Sequence, residues 1–96
     1  MKTVQELIHD LHLQLEKEND LLNGYRTKVT DLHKKIRNHA YLILNSTPCN
    51  LAYHSAQIAK YSALLEEYNT EIKMLEKSIE IANDDIADLL AEREGE

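Results

Sequence analysis

The 96-residue sequence has no tryptophan, no phenylalanine, one cysteine, one proline and two glycines. A single cysteine excludes an internal disulfide framework and a four-cysteine zinc site. No apolar run approaches the roughly 18 residues that a membrane-crossing helix requires. No basic-then-apolar leader opens the chain, so no secretory signal is expected and the chain reads as cytoplasmic. No phosphate loop, dinucleotide fingerprint or zinc-finger spacing is present. Basic residues are also in short supply: 11 Lys and Arg stand against 17 Asp and Glu, a net charge of −6. At this length one domain is the ceiling, and residues 1–96 read as a single helical hairpin.

Scarce turn residues are informative because of where they fall. Gly95 is at the end and Pro48 at the midpoint, which suggests two long helices and one connection. The apolar spacing agrees. Ile8, Leu15, Leu22, Val29, Ile36 and Ile43 recur every seven residues, with Val4, Leu11, Tyr25 and Leu32 between them. In the second half Leu51, Ile58, Leu65, Ile72, Ile79 and Ile86 recur every seven, interleaved with Tyr61, Tyr68, Leu75, Ala82 and Leu89. This is a heptad seam sustained through both halves. Three polar residues interrupt it, Glu18, His39 and His54. They are read as residues that set register, at some cost in stability.

Capping chemistry supplies the boundaries. Thr3 and Glu6 have capping-box spacing. Thr47 before Pro48 reads as an N-cap followed by proline at the first helical position. Helix 1 is therefore expected near 3–45, a turn near 45–48 and helix 2 near 48–93. So short a connection makes the helices antiparallel. Two registers bury the same face. One sets Ile43 against His54, His39 against Ile58 and Tyr25 against Ile72; the other sets His39 against His54. Asn23-Gly24 and Asn69-Thr70 are weak points, but the seam crosses both without a phase slip, so continuous helices are expected.

A two-helix hairpin buries little of its surface. Leu7, Leu13, Leu21, Leu42, Leu44, Leu64, Met74, Ile81 and Leu90 fall outside the seam. Ala52, Ser55, Ala56, Ala59, Ser62 and Ala63 form a stripe of small residues beside it. Small side chains let another helix approach closely, so a homodimer forming a four-helix bundle is expected. Charge is segregated too. Residues 26–60 carry a net +5, residues 1–25 a net −3 and residues 61–96 a net −8. The turn end of the hairpin is thus expected to be basic, with Arg26, Lys34, Lys35, Arg37 and Tyr41 as candidate contacts for a partner or an anion. Lys28 is expected to pair with Glu71 across the hairpin.

Two clusters raise the question of metal or catalysis. His9 and His12, with Asp84, Asp85 and Asp88 expected nearby, lie outside the seam and read as solvated. His39, His54 and Cys49 lack a fourth ligand for zinc. They also lack an oxyanion site for nucleophilic chemistry. No cofactor, no metal and no enzymatic activity are expected. The leading expectation is a non-enzymatic interaction module, of the kind of a small adaptor, chaperone or inhibitor. It would self-associate through helix 2 and engage a larger protein. The alternatives are a binder of a small anionic ligand such as a nucleotide, or of single-stranded nucleic acid, at the basic end, and a rod that assembles head to tail.

Overall fold

The computed structural model describes residues 1–95. Their regular structure is two long helices packed against each other: α1, Val4–Ile43, and α2, Pro48–Glu94. No described helix is long and apolar enough to cross a membrane.

Local chemistry places the ends. The Glu6 amide donates to Thr3 Oγ1 at 3.2 Å, and the Thr3 hydroxyl donates to Glu6 Oε1 at 3.3 Å. The Thr3 carbonyl accepts the first helical bond, from the Leu7 amide at 3.0 Å. One of the orphan amides at the start of α1, that of Glu6, is satisfied in this way. α1 stops at Ile43, two residues before the expected boundary. The amides of Leu44, Asn45 and Ser46 donate to the carbonyls of Tyr41, Leu42 and Ile43. This three-residue spacing tightens the last turn and uses up the free carbonyls. The Ser46 hydroxyl adds a bond to the Leu42 carbonyl. No described residue has positive φ, so the helix ends without a glycine. The Leu51 amide donates to the Thr47 carbonyl at 2.8 Å and opens α2 with Pro48 in its first position, where a missing N–H leaves no bond unmade.

Both helices run unbroken through the weak points. Thr30 and Thr70 turn their hydroxyls back to the carbonyls of Arg26 and Glu66, each at 3.0 Å, so neither competes with the helix for an amide.

The chain divides into two compact units, each built from a stretch of both helices. Unit 1 comprises Met1–Asn23 and Lys73–Glu96, and unit 2 comprises Gly24–Ile72. In unit 1 the helices run antiparallel, with Glu18 against Ser78 and Gln5 against Arg93. Its buried residues are Ile8, Leu22, Ala82 and Ile86, all seam positions. In unit 2 the helices are again antiparallel, with Tyr25 against Tyr68 and His39 against His54. Of the two registers the seam allowed, unit 2 adopts the one that pairs the histidines. Leu32 is its one buried residue among those described.

The seam positions are buried or half-buried with one exception. Leu51 is exposed, because it lies in the first turn of α2, where α1 is already ending. Leu64 and Leu90, expected to point outward, are half-buried. Each is next in sequence to a seam leucine, Leu65 or Leu89, and flanks the helix contact.

Candidate functional site

In unit 2 the polar seam residues assemble into an aromatic cluster. His39 Nδ1 lies 2.7 Å from His54 Nδ1. A hydrogen bond at that distance needs one ring to donate its Nδ1–H and the other to accept it. The His39 ring stacks on Tyr61 with centroids 5.8 Å apart and meets Tyr53 edge-on at 6.1 Å. Tyr53 also meets His54 edge-on, at 5.3 Å. Lys35 places its ammonium 5.5 Å from the centre of the Tyr61 ring. Lys28 does the same over two rings, 5.4 Å from Tyr25 and 5.5 Å from Tyr68. The expected Lys28–Glu71 pair is not formed among the described residues. With the tyrosines paired across the helices at 5.7 Å, their faces offer the ammonium a ready cation–π site beside its own helix.

Ala52, Ser55, Ala56, Ala59, Ser62 and Ala63 are all exposed. Around the end of α1 and the start of α2, the exposed side chains include Tyr41, Leu42, Leu44, Leu51 and Tyr53. Arg26, Lys34, Lys35 and Arg37 are exposed on α1 of the same unit. Unit 2 therefore combines small, apolar and basic side chains on its surface. It carries six basic and four acidic residues, a net +2. Cys49 is exposed and unbonded, while the histidines pair with each other.

Unit 1 has the opposite character, with five basic and thirteen acidic residues, a net −8. Lys2 is bonded to Asp10, whose hydrogen bond and charge raise the lysine above its ordinary pKa. The pair is solvent-exposed and contributes little to stability. Arg93 donates to Gln5 Oε1 at 2.6 Å and ties the end of α2 to the start of α1. His9 and His12 are exposed on α1, and Asp84, Asp85 and Asp88 are exposed on α2. No group of three or more His, Cys, Asp or Glu residues gathers at one point among the described residues.

Glu18, the third polar seam residue, is held in unit 1. Its Oε1 accepts from Ser78 Oγ at 2.7 Å and from Gln14 Nε2 at 3.1 Å. Its Oε2 is buried without a hydrogen-bond partner among the described residues. Gln14 and Ser78 also line a groove of about 510 Å³, together with Leu11, Met74, Ile81, Ala82, Lys73, Lys77 and Asp85. The seam spacing did not reveal this groove. Met74 and Ile81 lie outside the seam, one heptad apart, and that shared column was the available signal.

Comparison with known protein families, curated proteins and solved structures gives no match.

Proposed function

We propose that the chain is a non-enzymatic protein-interaction module that self-associates through α2 and engages a larger protein with the basic surface of α1. The observation that carries this reading is the thin interior of unit 2. Leu32 is its one buried residue among those described, while Tyr41, Leu42, Leu44, Leu51 and Tyr53 are exposed. Apolar side chains left in water in this way favour association. The stripe Ala52, Ser55, Ala56, Ala59, Ser62 and Ala63 suits close approach of a second helix. Arg26, Lys34, Lys35, Arg37 and Tyr41 supply a face complementary to an acidic protein surface. The homodimeric four-helix bundle is part of this proposal.

Sedimentation equilibrium of the purified chain and of Ala59→Glu tests it. Ala59 is exposed, so the variant leaves the fold in place and adds a charge to the contact. The wild-type mass is expected to exceed one protomer and to fall in the variant. An identical mass for the two overturns the role of the stripe.

A further inference from the structure

The groove of unit 1 carries a pattern of its own. Along α2 its lining reads Lys73, Met74, Lys77, Ser78, Ile81, Ala82 and Asp85. Lysines stand at the first end and near the middle, an aspartate stands at the last, and Met74 and Ile81 lie between these outer charges. Met74 and Ile81 are 62% and 52% exposed, too much for residues that complete the interior of their own chain. On α1, Leu7 and Leu21 lie one heptad either side of the groove residue Gln14 and are also exposed. The apolar face thus extends beyond the groove itself.

A row with a lysine at one end and an aspartate at the other is complementary to itself at its ends when reversed. If α2 of a second copy lies antiparallel in the groove, with the two-fold axis close to Ser78, Lys73 of each copy faces Asp85 of the other. Met74 and Ile81 of the two copies then interleave at the centre. This is the isologous arrangement, in which one surface serves both subunits and every contact occurs twice. A parallel arrangement would set lysine against lysine and aspartate against aspartate. The end charges therefore favour the antiparallel direction. A polar group short of a partner lies beside the same groove, Glu18 Oε2, whose neighbours Gln14 and Ser78 line it.

We infer that the unit 1 groove is a second self-association site, filled by α2 of another copy in antiparallel orientation. The inference rests on the proposal that the chain self-associates, and it adds a contact independent of the small-residue stripe. With both contacts the assembly grows beyond a dimer.

Charge exchange tests it. Lys73 and Asp85 are exposed, so Lys73→Glu and Asp85→Lys change the contact without disturbing the interior. In each variant alone the antiparallel contact becomes repulsive twice over, and its dissociation constant rises about tenfold or more. In an equimolar mixture of the two variants, the introduced glutamate of one chain faces the introduced lysine of the other. The unchanged Asp85 of the first then faces the unchanged Lys73 of the second, so the groove contact returns between unlike chains. Native mass spectrometry with one variant isotopically labelled reads it as mixed assemblies larger than a dimer, since the stripe alone yields dimers. Recovery in the mixture and loss in each variant support the inference. Variants that associate like the wild type, or a mixture that does not recover, overturn it. The two proposals also fail separately. An assembly abolished by Ala59→Glu and indifferent to Lys73→Glu sinks the groove and keeps the stripe. The reverse result keeps the groove and sinks the stripe. A wild-type chain monomeric at 100-fold varied concentration overturns both.

Discussion

His39 and His54 make sense only as a pair. Each occupies a seam position where a leucine would bury more apolar surface. Together they place a hydrogen bond of 2.7 Å beside the rings of Tyr53 and Tyr61. Removing one leaves the other with an unmatched nitrogen in a half-buried site, which costs about 1–3 kcal/mol. Removing both leaves no unmatched group. His39→Leu and His54→Leu are therefore each expected to destabilise by about 1 kcal/mol, with the double variant losing less than the sum. Urea unfolding of the four proteins checks this; strictly additive losses would show that the rings do not share a bond. The seam showed that both histidines are half-buried, but not that they touch. Both registers buried the same face, and the choice between them depends on how the turn at Leu44–Ser46 closes. For the same reason Lys28 was assigned to Glu71: its actual neighbour, the Tyr68 ring, is brought into place by the register.

The helices themselves were legible because heptad spacing is a property of the chain alone. Their continuity depends on context. Gly24 sits inside α1, where glycine costs about 1 kcal/mol relative to alanine, and a Cβ built there meets nothing within 4 Å. Its φ is not positive, so nothing in the backbone requires glycine. Gly24→Ala is expected to stabilise the chain by about 1 kcal/mol, seen as a thermal midpoint about 4–8 °C higher. An unchanged or lower midpoint would mean that the open space beside Gly24 belongs to a contact with another chain. The groove shows where reading one helix at a time stops. Met74 and Ile81 appear in the sequence as scattered leftovers. They become one surface only when α1 contributes Leu11 and Gln14.

At the scale of the molecule, the small buried set limits what one copy can do alone. Five apolar residues, Ile8, Leu22, Leu32, Ala82 and Ile86, make up the buried core among the described residues, and none of their side chains is fully enclosed. Association that removes Met74, Ile81 and the stripe from water couples folding to concentration. The thermal midpoint is expected to rise over a hundredfold increase in protein concentration, because a partner that binds only the folded form stabilises it by mass action. Calorimetry at the two ends of that range decides; an invariant midpoint would mean that the folded monomer is self-sufficient. The absence of positive φ, noted where α1 ends, has a consequence for how such a chain changes over time. Each described position accepts the ordinary L-amino-acid backbone, so residue identity is constrained by neighbours rather than by conformation. Neighbours in a heptad seam ask mainly for an apolar side chain of moderate size. A lineage can therefore exchange most of its letters and keep the hairpin, while its surfaces are free to diverge toward new partners.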